Sequence, residues 1–299
     1  MYNSYLEVNI MSLALLFLIL FHSGHSYKGK SSDTLINRVI ILLIITTITD
    51  IVFYFVDLKS FPGARSINIF SSILYFSASS LSSYFWFFYT CFELNKCASF
   101  SKLLKFIISF PAVALILMTL LSPTTHWIFY VDDNNEYFRG SLNYLQIILT
   151  YIYIVASSLI SIKYCRVEVL QEKKRHYWHL STYPIIPLAG GVAQGIILNT
   201  NIAMPATVVA ITMLYLDNIK QETLLDPLTR LNNRGQFDNY LEGKIKSYQN
   251  KNLFLVFFDI DNFKEINDSF GHIEGDKAIK TVAQTLQNIF SDKNSFLAR

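Results

Sequence analysis

Charge is what this sequence has least of. Charged side chains make up 16 % of its 299 residues, against about a quarter in a soluble globular chain. With a hydrophobic fraction of 52 %, that shortfall excludes a water-soluble domain along the whole length. Cysteine is scarce too. Cys91, Cys97 and Cys165 are odd in number and lack metal-ligand spacing, which argues against a disulfide framework or a zinc module and for reduced, structural thiols. No stripe of basic residues interleaved with aromatics lies outside the apolar region, so direct DNA or RNA binding is not expected. No Lys or Arg precedes Lys28, and Glu7 stands where a secretion signal carries positive charge. The first apolar segment therefore reads as a retained helix.

What is present falls into two regimes. Residues 1–217 are apolar and aromatic, whereas residues 218–299 have ordinary soluble composition rich in Asp, Asn and Lys. A bilayer core of about 30 Å needs roughly 20 apolar residues of helix, because backbone groups in lipid must bond within their own segment. Seven stretches meet or approach that length: Leu6–Phe21, Val39–Val56, Ile67–Tyr89, Leu104–Leu121, Tyr144–Tyr164, Thr182–Leu198 and Ala203–Leu216. The last two begin near Pro184, Pro187 and Pro205 and are separated only by Asn199 to Ile202, so one tight hairpin or a broken segment is an alternative.

Basic residues in the short loops set the expected orientation. Lys28, Lys30, Arg38, Lys96, Lys102, Lys105, Lys163, Arg166, Lys173, Lys174 and Arg175 fall on one side. Lys59, Arg65 and Arg139 fall on the other, beside Asp132, Asp133 and Glu136. The lysine-rich side is cytoplasmic by this rule. The expectation is a multi-pass protein of the bacterial inner (plasma) membrane, in contact with the lipid bilayer, its N-terminus outside and its C-terminal domain inside.

Polar residues in the spans have two readings. Asp50 is costly in an apolar span; it is either a ligand- or proton-sensing position or a hydrogen-bonded packing residue near a helix end. Ser71, Ser72, Ser77, Ser79, Ser80, Ser82 and Ser83, like Gly190, Gly191 and Gly195, read as close-packing positions. The pairs His22/His25 and His176/His179 have i,i+3 spacing but lack carboxylate or thiol partners, and neither reads as a metal site.

The soluble part opens with a linker, residues 218–225, without Gly or Pro, able to continue the last membrane helix into the cytosol as a mechanical connection. Pro227 excludes helix before it, and Asn232 or Asn233 is a good N-cap. Phe237, Leu241, Ile245 and Tyr248 recur at helical spacing as far as about Asn250. Leu253–Phe258 has the profile of a buried central strand. Ile279, Val282, Ala283, Leu286, Ile289 and Phe290 form the face of a further helix. That order is α/β. At the strand's end, Asp259 and Asp261 can hold a hard cation that also binds substrate phosphates. Free N–H groups of Asn262 and Phe263 at the next helix start can meet phosphate oxygens.

The block DPLTRLNNR, from Asp226, and the run DIDNFKEINDSFGHIEGD, ending at Asp276, resemble the diguanylate cyclase, or GGDEF, family over residues 226–299. With the seven apolar stretches, the expected architecture is an α-helical membrane bundle of about seven helices over 1–217; the resemblance implies that the N-terminal part of an α/β GGDEF domain follows it. It implies that Asp259 binds Mg²⁺ or Mn²⁺ through its carboxylate and Ile260 through its carbonyl. Asn267, His272 and Asp276 would contact the nucleotide, with Asn267 and Asp276 reading the guanine edge and Lys264 touching phosphate. Gly271 and Gly275 would allow turns. Similar enzymes condense two GTP molecules, one held by each domain of a homodimer, into cyclic di-GMP. In this register the GGDEF hairpin follows Arg299, the last residue given. The 299-residue chain is accordingly expected to lack the catalytic centre and to be inactive alone. An inhibitory Arg-x-x-Asp site would fall on Asp292 and Ser295, so feedback through it is not expected. A receptor or GTP-binding module that never catalyses is the alternative. A transporter would need more broken polar helices than Asp50 alone suggests.

Overall fold

The computed structural model describes residues 2–25, 31–94, 100–168, 171–196, 202–223, 225–247, 253–290 and 295–299. Cys97, the turn before Ile202 and the expected helix end after Tyr248 lie outside them. The chain divides into two compact units, Met1–Tyr215 and Leu216–Arg299.

The first unit is helical. Helices α1 (Tyr2–His25), α2 (Ser31–Val56), α3 (Ala64–Glu93) and α4 (Lys102–Thr125) precede a two-stranded hairpin, β1 (Phe129–Val131) and β2 (Tyr137–Arg139). Helices α5 (Asn143–Val167), α6 (Gln171–Thr182), α7 (Ile185–Ile196) and α8 (Ala203–Thr223) follow. Among the described residues, four segments are long and apolar enough to cross a membrane: Tyr5–Ser23, Thr34–Val56, Lys102–Thr125 and Asn143–Val167. Of the other three expected spans, α3 has the length at 30 residues but falls short in apolarity. Helix α7 has only 12 residues, and the apolar part of α8 is Ala203–Ile219. Helix α8 continues without a break to Thr223 through most of the Gly- and Pro-free linker.

Helix α3 packs against α2, α4 and α5. Its small residues make that possible: Ser71, Ser72, Ser80, Ser82 and Ser83 are buried, where bulkier side chains would hold the backbones apart. Trp86 anchors the centre. Its ring stacks on Tyr183 at 3.7 Å between centroids, and its Nε1 donates to Ser157 Oγ on α5 at 3.0 Å. Asp50 accepts from Asn9 Nδ2 at 3.0 Å and from the Tyr5 hydroxyl, a polar tie between α1 and α2. Cys91 and Cys165 are buried thiols.

Helix α4 contains Pro111, which removes a backbone donor from the helix interior. Tyr153 of α5 inserts its hydroxyl there, accepting from the Ala112 N–H at 3.2 Å and donating to the Ile108 carbonyl at 2.6 Å. At the far end of α4, Ser122 Oγ accepts from the N–H groups of Ile128 and Phe129 at 2.9 and 2.8 Å. It donates to the Phe129 carbonyl at 2.7 Å. This seats the antiparallel hairpin, whose register pairs Phe129 with Arg139 and Val131 with Tyr137, over a small core of Ile128, Phe129 and Val131. The hairpin and nearly all of α6 lie in the expected loops between spans.

In the second unit, α9 (Arg234–Ser247) is capped by Asn233, whose Oδ1 accepts from the Gln236 N–H at 3.0 Å. Helices α10 (Phe263–Phe270) and α11 (His272–Phe290) follow. The expected buried strand over Leu253–Phe258 is not observed. Among the described residues no strand pairs with it, and Phe254 and Phe257 are 83 % and 84 % exposed. A strand draws its stability from neighbours bonded along its edges. Without them an apolar run forms neither a ladder nor a core, so the α/β sheet is not present in the described residues.

Trp86→Ala removes a stacked ring and a buried hydrogen bond together. It is expected to cost about 3 kcal/mol or more, measurable as a lowered unfolding midpoint in detergent, whereas Trp86→Phe should recover part of the loss.

Candidate functional site

The second unit opens on a tight turn. The Asp226 Oδ1 accepts from the Thr229 N–H at 2.8 Å and from its hydroxyl at 2.7 Å. The Asp226 N–H donates to the Leu231 carbonyl at 2.8 Å. Arg299 closes the turn from the far end of the unit. Its Nη1 lies 3.0 and 3.3 Å from the two Asp226 oxygens, and its N–H donates to the Asn232 carbonyl at 2.8 Å. Asn232 Nδ2 reciprocates on the Leu297 carbonyl at 2.8 Å. Partial burial raises the Asp226 pKa, but the Thr229 hydrogen bonds and Arg299 outweigh it and hold the carboxyl below its ordinary value. This pairing spans 73 positions and was missed in the sequence, where each partner reads only as part of a local motif.

The acidic run lies on the extended segment that ends at α10. Asp259 and Asp261 are exposed and Ile260 is half-buried. Asn262 takes a left-handed conformation (φ 55°) at the start of α10, and its carbonyl accepts from the Glu265 N–H at 2.9 Å. The Phe263 N–H donates to the Ile260 carbonyl at 3.3 Å, so it is engaged within the turn rather than free for phosphate. Lys264 is exposed in the first turn of α10.

The nucleotide-contact candidates gather at the corner between α10 and α11. Asn267 lies in the last turn of α10, where its carbonyl accepts from the Gly271 N–H at 2.9 Å. Gly271 makes the turn at φ 83°, as expected. His272 and Asp276 begin α11, exposed and four residues apart, hence on one face of the helix. Gly275 acts differently from the expectation. It is buried inside the first turn of α11, and a Cβ there would collide with the Asn267 amide and press on Phe263 Cζ. Its missing side chain lets two helices meet and gives the Asn267 amide its place, so the requirement is close approach and not a turn.

Among the described residues no group of three or more His, Cys, Asp or Glu side chains converges as a metal cage. The oxygen donors at Asp259 and Ile260 suit a different type of site. Mg²⁺ binds through one or two protein oxygens and completes its shell with water and substrate phosphates.

Residues 223–299 match the family described as "Diguanylate cyclase, GGDEF domain". This segment belongs to the GGDEF family. Diguanylate cyclase DgcP of Pseudomonas aeruginosa is 39 % identical over 87 residues, covering 28 % of this chain and 13 % of DgcP. Diguanylate cyclase VdcA of Vibrio cholerae is 36 % identical over 77 residues, 26 % of this chain and 22 % of VdcA. An uncharacterized membrane protein of Staphylococcus saprophyticus is 38 % identical over 71 residues, 23 % of this chain and 20 % of that protein. The matched stretch thus spans less than a quarter of each of these relatives. No solved structure matches the chain.

Two substitutions test the geometry of the GGDEF segment. Gly275→Ala is expected to displace the Asn267 side chain and cost the α10–α11 corner about 1 kcal/mol or more, read as faster hydrogen exchange over residues 263–276. Arg299→Ala is expected to loosen the Asp226 turn by about 1 kcal/mol or less, seen as faster hydrogen exchange over residues 226–232. Because the Asp226 pKa is lowered by folding, its contribution holds above the unfolded value near pH 4 and is lost as pH falls through the folded one. The Arg299→Ala difference should therefore vanish in acid.

Proposed function

We propose that this chain belongs to a membrane-bound signalling protein whose helical bundle, residues 1–217, regulates a cytosolic GGDEF output beginning at Asp226. The reading assigns the bundle seven spans, places the N-terminus outside, and makes residues 218–225 the helical connection. The output reaction is condensation of two GTP molecules into cyclic di-GMP with release of pyrophosphate, carried out by a homodimer that brings two nucleotides together. The observation carrying this reading is the α10–α11 corner, where Asn267, His272 and Asp276 present an amide, an imidazole and a carboxylate within one family-matched segment. An amide and a carboxylate suit guanine, which offers both acceptors and donors along its edge.

Each residue has a stated part. Asn267 and Asp276 hold the base, and His272 flanks it. Lys264 meets phosphate charge, with Asn262 and Phe263 shaping the turn beneath it. Asp259, with the Ile260 carbonyl, would hold Mg²⁺ or Mn²⁺, which supplies charge neutralisation and in-line alignment of phosphate when bound. Catalysis of this kind rests mainly on positioning.

The nucleotide site is tested on the purified 299-residue protein with GTP and Mg²⁺. Nucleotide binding that Asp276→Ala abolishes is expected. Absence of any nucleotide binding would overturn the site.

A further inference from the structure

Helices α5 and α6 run antiparallel and are tied at two points. Ser158 Oγ donates to the Ser181 carbonyl at 2.9 Å, and Cys165 Sγ donates to the Lys174 carbonyl at 3.4 Å. This register places Arg166, in the last turn of α5, beside Lys174 and Arg175 near the start of α6. All three side chains are exposed, and none forms an ion pair among the described residues. Arg65 and Arg299, by contrast, are paired with Asp133 and Asp226. Of the carboxylates at this end, Glu93 of α3 is engaged by His176 at 3.3 Å and Glu168 is half-buried. The corner therefore carries positive charge that the bundle itself does not balance.

Away from this corner the surface changes character along one line. Trp178 is 56 % exposed, and Ile185 and Val192 continue its stripe along α7 at 61 % and 57 %. Cations, then an indole, then aliphatic side chains is the order a helix shows on passing from the headgroup layer into hydrocarbon. A cleft runs beside that stripe. Its α6–α7 wall carries His179, Thr182 and Ile186, which stand on one helical row with Arg175. Helical hydrogen bonds from the Tyr183 N–H to the His179 carbonyl and from the Leu188 N–H to the Pro184 carbonyl carry that row across the α6–α7 junction. Ala210 and Met213 of α8 form the opposite wall. Tyr183 makes the floor, fixed by its stack on Trp86. Farther along, α7 and α8 close on each other. A Cβ on Gly190 would collide with that of Ala206, and Gln194 Oε1 accepts from the Ile202 and Ala203 N–H groups at 3.2 and 3.0 Å. The cleft is shut at that end and lies nearer the cationic one.

Apolar walls headed by unbalanced cations match a molecule with an anion at one end and a hydrocarbon chain at the other. We propose that the cleft holds one anionic glycerophospholipid, its phosphate on Arg175 with Lys174 and Arg166 alongside, and an acyl chain against α8. Each basic residue at a membrane surface favours an anionic headgroup by about fivefold, and a guanidinium matches phosphate geometry with two parallel donors. Free phosphate offers the same charge but leaves the cleft unfilled. The lipid packs on the helix that leads out of the bundle, so its occupancy bears on how that helix is held. The site rests on the reading of residues 1–217 as membrane-embedded, though not on which end faces the cytosol.

The test is native mass spectrometry of the full chain, extracted from vesicles holding equal amounts of phosphatidylglycerol and phosphatidylcholine. Flotation with pure phosphatidylcholine vesicles checks membrane insertion separately. Wild type should retain one phosphatidylglycerol about tenfold over phosphatidylcholine. Arg175→Ala should lower that preference about fivefold. Ala210→Leu narrows the cleft without altering charge and should lower phosphatidylglycerol retention about threefold or more. Lys163→Ala removes an exposed charge of α5 two residues from Cys165, hence on the side away from α6, and should change neither quantity. Added glycerol phosphate should not displace the lipid. Equal retention of the two lipids, a loss on Lys163→Ala matching that on Arg175→Ala, or displacement by glycerol phosphate would overturn the lipid site alone. Failure to float would overturn the membrane reading and the site with it. Arg175 is a surface residue, so its variant decides the matter even where Ala210→Leu does not fold.

Discussion

Every backbone group in the apolar part of this chain needs a partner within protein, and most of the bundle's polar side chains answer that need. Water is not at hand to accept a carbonyl or meet an N–H in a hydrocarbon setting. The threonines of α2 bond back to their own helix: Thr46 to the Leu42 carbonyl, Thr47 to Leu43 and Thr49 to Ile45. Ser80 does the same on α3, to Phe76. Next to Pro111, a tyrosine from the neighbouring helix bridges the Ala112 N–H and the Ile108 carbonyl. Where α4 ends, one serine hydroxyl serves three groups of the hairpin. Much of what looks like a polar interior in the sequence is thus backbone accounting. Polar content alone is weak evidence for a ligand site there.

The same principle separates what could be read in the sequence from what could not. Long apolar helices, the Asn233 cap and the run from Asp259 to Asp276 are local features, set by residues within a few positions of one another, and they were legible. The hairpin was not. Its strands are three residues each, too short for a periodicity, and its seat is Ser122, a residue of the preceding helix. The Asp226–Arg299 pair joins opposite ends of the segment and leaves no local pattern. Leu253–Phe258 failed for a related reason. Strand character is a property of paired segments, and composition alone carries no information about whether the pairs form.

The GGDEF segment shows where pattern and packing meet. The text around Gly271 and Gly275 invited a single explanation, conformational freedom, but only Gly271 uses it. Gly275 is helical, and what it offers is absence of volume beneath the Asn267 amide. The family match makes the segment recognisable. The helix-on-helix contact explains why its residues have to stand in that order.

That contact has a thermodynamic consequence. Because the Asn267 amide is wedged where α10 meets α11, its orientation and the stability of the corner are a single equilibrium seen from two sides. Any ligand that bonds this amide in its packed position stabilises the corner by RT ln(1 + [L]/Kd). Conversely, anything that pries α10 from α11 must weaken that ligand by the same free energy. A ligand held at this corner would therefore be adjustable from a distance, through helix packing, without a change to any side chain that touches it.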